Sequence, residues 1–228
     1  MHTRLTCMNG KYFALVGDLV GSRKQPSRSN LAEQVEYVLH TVNHHFRPVF
    51  IAPLETTRGL DEVSALLHEP DRAFDIVYFV NLLLWPAMFR FGLGNGTIDV
   101  WGSSGRASDM DGPAFHYAAD ALDRGSHEDI LFSVNLHLSR TYTEHLIEAS
   151  GMLSQAVMRD WTPKIARAIR EYRPLNGASP TQKQVAAQIG QSQQALSQAI
   201  RSGHLSELTM ARNAIQHALS SCAHTYSG

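Results

Sequence analysis

Twenty basic against 21 acidic side chains in 228 residues leave a formal net charge of -1, so no excess of either sign points to nucleic acid, a membrane surface or an acidic partner. Hydrophobic residues make up 43%, enough for a packed core, and the length suits one domain with an appendage or two small ones. Cys7 and Cys222 stand near opposite ends without a CxxC spacing, which speaks against a disulfide scaffold or structural zinc site and makes a reducing cytoplasm the expected home. Met1 to Cys7 holds no apolar run of signal-peptide length. The most apolar stretch, Phe74 to Phe89, is broken by Asp75, Asn81 and Pro86, so neither export nor a membrane span is expected.

Tyr12 to Val16 is a short apolar run that stops at Gly17-Asp18, predicting a buried strand with a carboxylate at its carboxyl end. After the polar loop Gly21 to Pro26, Asn30 and Glu33 have capping-box spacing. Leu31, Val35, Val38, Leu39, Val42 and Phe46 then recur as the buried stripe of a helix that Pro48 ends. Val49 to Leu54 and Val63 to Leu67 predict a hairpin turning around Arg58-Gly59-Leu60-Asp61. A second helix is expected from Pro70 to Trp85 and a strand from Met88 to Leu93, where Gly92, Gly94 and Gly96 mark a bulge or a close backbone approach. Gly112 to Ala121 predicts a third helix ended by Gly125, and Ile130 to Val134 a final strand. The order β-α-β-β-α-β-α-β, with its central hairpin, fits an α+β, ferredoxin-like palm over residues 1–135 better than a doubly wound sheet.

Strand signals stop near Leu136, and Leu146, Leu153, Val157, Trp161, Ile165 and Ile169 predict connecting helices over 136–175. Arg173 to Ser179 reads as a linker, and residues 176–228 as an all-α tail. There Pro180 opens a helix bearing Val185, Ala186 and Ile189. Gly190-Gln191-Ser192 makes a turn, and Gln193 to Arg201 forms a second helix around Ala195, Leu196 and Ile200, which is helix-turn-helix spacing. Gln193, Gln194, Ser197, Gln198 and Arg201 fall on its outer side and are the candidate DNA-binding residues, since glutamine and arginine suit adenine and guanine edges. Lys183, Arg201 and Arg212 against Glu207 form only a small basic excess. DNA binding is therefore expected from a homodimer holding two such helices about 34 Å apart. A helical module for dimerisation or docking is the alternative.

Three blocks, Gly17-Asp18-Leu19-Val20-Gly21-Ser22-Arg23, Arg90 to Ile98, and Asp111-Gly112-Pro113-Ala114-Phe115-His116, occur in an order and spacing that resembles the SatD family. The resemblance covers nearly the whole chain, tail included. A wider similarity links the same strands to the palm of class III nucleotidyl cyclases and diguanylate cyclases. In those enzymes a metal-binding aspartate ends the first strand and an acidic pair sits on the following hairpin. The similarity implies Asp18 for the first position and Asp61 with Glu62 for the second, within Gly59-Leu60-Asp61-Glu62-Val63. SatD relatives commonly read Gly-Asp-Glu-Phe-Gln at this hairpin. Leu60, Val63 and Ser64 depart from that pattern, so binding is expected ahead of turnover.

Two strand-end carboxylates give hard oxygen ligands at a rigid point, which suits magnesium and a phosphate chain. Asp18 and Asp61 are the candidate metal ligands, and with Glu62 the candidate catalytic set. In a two-metal phosphoryl transfer, ions about 3.5 to 4 Å apart would activate a ribose hydroxyl and stabilise the leaving pyrophosphate. Gly21, Ser22, Arg23 and Lys24 follow Asp18 and are candidate phosphate contacts, Arg23 through a bidentate fork. His116, in the family's most distinctive block, is a further candidate nucleotide contact beside the plainer reading of a hydrogen-bonded structural histidine. No dinucleotide fingerprint, HExxH spacing or nucleophile elbow is present. The expected protein binds a purine nucleotide with magnesium and couples it to a DNA-binding helix-turn-helix, as a transcriptional or stress-response regulator. A nucleotidyl cyclase or nucleotidyltransferase is the alternative, and a non-catalytic adaptor the second.

Overall fold

The structure, a computed structural model, describes residues 12–21, 28–137, 141–175 and 179–224. Its first part runs β1 (Tyr12–Leu19), α1 (Arg28–His45), β2 (Phe50–Arg58), β3 (Glu62–Leu67), α2 (Ala73–Leu84), β4 (Phe89–Gly96), α3 (Pro113–Glu128) and β5 (Phe132–Asn135). Five helices follow: α4 (Thr141–Arg159), α5 (Pro163–Tyr172), α6 (Gln182–Gln188), α7 (Gln193–Ser202) and α8 (Leu205–His224). The fold is mixed α+β. Its five strands form one sheet in the order β2-β3-β1-β4-β5, antiparallel throughout except for the parallel pair β4 and β5. Among the described residues no helix is long and apolar enough to cross a membrane.

Strand alternation gives the sheet two differently covered faces. Phe13, Leu15, Leu19, Leu67, Phe89, Phe91 and Leu93 join the main core with α1 and α2, whereas Ala14, Ala52 and Leu66 meet Ala114 and Ala118 of α3 on the other side. All six residues of the apolar stripe expected on α1 are buried. The helix begins at Arg28, however, so Asn30 lies within its first turn and not at a cap. Neither Arg28 nor Ser29 is a helix breaker, and the helix simply takes them up.

The glycines of β4 mark a close approach and not a bulge. A Cβ at Gly92, Gly94 or Gly96 would overlap backbone atoms of Ala118 or Ala114, so α3 lies directly on the strand. Gly125 serves the same contact further along. It sits inside α3 against Ser133, and the helix runs past it to Glu128, closing at Asp129 in the left-handed conformation with φ 57°. The glycine therefore does not end the helix, because its missing side chain is required by packing.

The polar residues interrupting the most apolar stretch tie elements together. Asn81 of α2 accepts from the Phe89 N–H at 2.7 Å and donates to the Phe89 carbonyl at 3.0 Å, which pins the start of β4. Asp75 is buried and receives Arg212 of α8. The helices after β5 share the main core, which contains Ile147, Trp161, Ile169, Leu208, Ile215 and Leu219. A smaller cluster joins Ala168 of α5 to Val185, Ala186 and Ile189 around α6 and to Leu196 and Ala199 of α7.

Candidate functional site

Register brings the first candidate residues to one corner of the sheet. Asp18 lies opposite Glu62 of β3 on one side and Arg90 of β4 on the other. The Leu19 N–H donates to the Asp61 carbonyl at 2.8 Å, and the Val20 N–H donates to the Met88 carbonyl at 2.9 Å. Asp18, Glu62 and the Asp61 backbone carbonyl thus meet at the carboxyl end of β1, and Asp61 is not among the residues that line the cleft there. Asp18 and Glu62 line a cleft of about 390 Å³ between the sheet and α3, with Ser64, Thr57, Asp123 and Ser126 on its walls.

Two wall atoms lack hydrogen-bond partners. Ser64 is 5% exposed, and its Oγ and the buried Asp18 Oδ1 are both unpartnered. An unsatisfied buried acceptor carries the desolvation cost of roughly 1–3 kcal/mol, so both atoms favour a ligand that supplies hydrogen bonds or charge. Burial raises the Asp18 carboxyl above its ordinary 3.8, with Arg90 opposing and Glu62 adding to the rise.

Arg90 was unassigned by the sequence reading although it opens one of the quoted blocks. Its guanidinium is nearly buried and stands 3.7 Å from Asp18 and 3.6 Å from Asp129. It donates to the Ile130 carbonyl and the Ser126 hydroxyl, each at 3.2 Å. Asp129 in turn holds Arg159 at the end of α4 through two bonds of 2.7 and 2.8 Å, and Arg159 is the main cause of its lowered pKa. A fixed cation therefore lies at the edge of the carboxylate cleft. Ser64 and Ser126 were also missed, because nothing local distinguishes a serine facing a cleft from one facing solvent.

Gly21 is exposed with φ 69°, a conformation that favours glycine. Ser22, Arg23 and Lys24 lie outside the described residues. His116 does not line the cleft; its Nε2 is 3.0 Å from Asp111 and its side chain is 66% exposed. Among the described residues no three His, Cys, Asp or Glu side chains are grouped to hold a metal ion. Asp18 and Glu62 with the Ser64 hydroxyl nevertheless suit a hard cation that keeps most of its water, as magnesium does, and the orphaned Asp18 oxygen is compatible with one.

In the tail, α6 and α7 are joined by Ile189, Gly190, Gln191 and Ser192, with Gly190 at φ 69°. A capping box of Thr181 and Gln184 starts α6, and the Ser192 side chain caps α7. Gln193, Gln194, Gln198 and Arg201 are exposed, and Ser197 is half-buried. Leu196 and Ala199 pack inward, with Ile200 against the same cluster. Because α5 packs on both α6 and α7, its charges belong beside theirs. Residues 163–202 carry six basic side chains, Lys164, Arg167, Arg170, Arg173, Lys183 and Arg201, against Glu171 alone. Counting from residue 176 hides this excess. Arg212, counted with the tail's basic residues from sequence, is instead spent on Asp75.

These features define a mixed α+β protein with a carboxylate and guanidinium cleft at the end of its first strand and a helical tail on a continuous core. The chain belongs to the SatD family, whose sequence profile matches residues 12–218. No curated protein gives a significant match.

Proposed function

We propose that this SatD-family chain is a cytoplasmic, nucleotide-responsive DNA-binding regulator. Its palm takes a purine nucleotide with magnesium at the end of β1, and its α6-turn-α7 unit docks in the major groove. The observation that carries the palm half is the pair of unpartnered buried oxygens, Asp18 Oδ1 and Ser64 Oγ, on the wall of the cleft. The strand order β2-β3-β1-β4, joined as β-α-β-β-α-β, supports a ferredoxin-like palm. Arg90 beside Asp18 supports binding ahead of two-metal turnover, because a fixed guanidinium already supplies positive charge at that carboxylate. The four-residue turn, the exposed glutamines of α7 and the basic excess of 163–202 support the DNA half.

Titration calorimetry of the full chain with ATP and GTP, with and without magnesium, tests the palm. Magnesium-dependent heat with one triphosphate, lost in Asp18→Ala, is expected; equal heats from both proteins overturn the assignment. A low-salt gel shift with genomic fragments tests the tail. Binding weakened by Arg201→Ala is expected, and no binding by the wild type removes the DNA half.

A further inference from the structure

Charged side chains of alternating sign lead from the cleft to the end of α4. Asp18 is followed by Arg90 at 3.7 Å, Arg90 by Asp129 at 3.6 Å, and Asp129 by Arg159 at 2.7 Å. Arg90 is the member that is shared. Its side chain is 9% exposed, so water screens it little, and it is anchored to the Ile130 carbonyl and the Ser126 hydroxyl. From that anchorage Nη1 faces Asp18 and Nη2 faces Asp129, and neither carboxylate is reached at the length of about 2.7–2.9 Å that marks a charge-assisted hydrogen bond. Arg159 instead grips both oxygens of Asp129 and shares Oδ1 with Arg90. Asp18 lines the cleft, whereas Arg90, Asp129 and Arg159 do not, so these three act on a ligand through Asp18. Glu62 and Asp123, the other charged groups lining the cleft, are both acidic.

We infer that Arg90 is a positioning residue that sets the affinity of the cleft for a divalent cation, according to how Asp129 and Arg159 divide its charge. The inference rests on the reading of Asp18 as a cation ligand and adds what controls its strength. Arg90 faces Oδ2 of Asp18, while the unpartnered oxygen is Oδ1, so a cation and the guanidinium can share the carboxylate. The closer Arg90 stands to Asp18, the less attraction remains for the cation. Asp129 draws the guanidinium the other way, and Arg159, by satisfying Asp129, releases Arg90 toward Asp18. Loss of Arg159 therefore strengthens cation binding, and loss of the Asp129 charge weakens it. Loss of the Arg90 charge strengthens it most. Because linkage is reciprocal, a cation at Asp18 moves Arg90 toward Asp129 and alters the hold on Arg159 at the carboxyl end of α4.

Manganese alone, a divalent ion suited to oxygen ligands, is titrated into the full chain at low salt, and the loss of its free-ion electron paramagnetic resonance signal gives the dissociation constant. Arg159→Ala should tighten binding about fivefold and Asp129→Asn weaken it about fivefold, the low end of ordinary coupling between sites. Both positions are exposed, and asparagine tolerates the left-handed conformation of residue 129 at φ 57°. The opposite signs are readable at these positions whether or not a change at Arg90 folds. Arg90→Gln, which can still donate to the Ile130 carbonyl, should tighten binding more than Arg159→Ala does. In the Arg90→Gln background the other two substitutions should change nothing. Equal fold-changes with and without Arg90 mean separate charges acting through space and overturn the inference. Weakening by all three variants, the mark of a merely structural role, also overturns it. Unchanged constants in Arg159→Ala and Asp129→Asn overturn it too, while leaving Asp18 as a ligand. No uptake by the wild type, or uptake that survives Asp18→Ala, removes both.

Discussion

Removing Arg212 should loosen α8 from α2, because this side chain is the polar joint between the two helices. Its Nε and Nη2 donate to Asp75 Oδ1 at 2.8 and 2.6 Å, and Arg72 holds the other carboxylate oxygen at 2.9 Å. The guanidinium also lies 4.4 Å from the Tyr78 ring centre and 4.8 Å from that of Phe79. The Asp75 side chain is 6% exposed. Deleting one partner of such a pair costs about 3–5 kcal/mol, since the remaining charge stays buried. Arg72 is 35% exposed and retains part of the attraction, which moves the estimate to the lower half of that range. Loss of the ring contacts adds about 0.5–2 kcal/mol. Arg212→Ala should therefore destabilise the chain by about 3.5–6 kcal/mol, a fall in melting temperature of roughly 7–24 °C at about 2–4 °C per kcal/mol. Denaturant melts of wild type, Arg212→Ala, Asp75→Ala and the double variant give the coupling energy. Arg212→Met with Asp75→Leu should recover much of the loss, because an apolar pair carries no stranded charge. A loss below about 1 kcal/mol in Arg212→Ala, or no coupling in the cycle, would refute the joint.

Asp18→Asn should raise the melting temperature of the unliganded protein at neutral pH while removing its response to magnesium and nucleotide. Because burial raises the folded-state carboxyl above 3.8, the folded chain holds this proton more tightly than the unfolded one. Its favourable contribution is complete below the unfolded value and is lost as pH rises through the raised one; melting curves from pH 3.5 to 7 should show that fall in the wild type and not in Asp18→Asn. Gly94→Ala should cost at least about 3 kcal/mol, since the methyl would meet the Ala114 carbonyl and the Ala118 amide of α3, and backbone cannot rotate aside. A thermal melt showing a loss under about 1 kcal/mol would contradict the close seating of α3.

Part of the site was legible because a strand ending in a carboxylate is a local pattern. Tyr12 to Asp18 identified both the strand and its final acid, and the Asp61-Glu62 turn identified the hairpin that meets it. Which hairpin carboxylate faces the cleft was not legible. A side chain alternates sides at every residue, so the answer depended on the register that sets Glu62 opposite Asp18. Arg90 was equally hidden, since its role arises from pairing with Asp18 across 72 residues of chain and from the end of α3 that supplies Ser126. Gly125 misled for a related reason: a helix-ending glycine and one required by packing look alike until the neighbouring strand is present.

By itself the sequence determined the elements of the α+β part, the order that excludes a simple doubly wound sheet, the buried stripe of α1 and the turn at Gly190. All of these follow from periodicity and turn chemistry within a few residues. Only the tertiary structure decided what meets what. It showed α5 packing with α6 and α7, which turned a weak basic excess into six positive side chains against one negative. It removed Arg212 from the surface charges by burying it against Asp75. It also left Leu146, Met152 and Leu153 of α4 exposed while Ile147 and Met158 on the opposite side of the same helix entered the core. Such outcomes rest on contacts between residues far apart in the chain, whose free energies depend on a shared desolvated environment that no local pattern encodes.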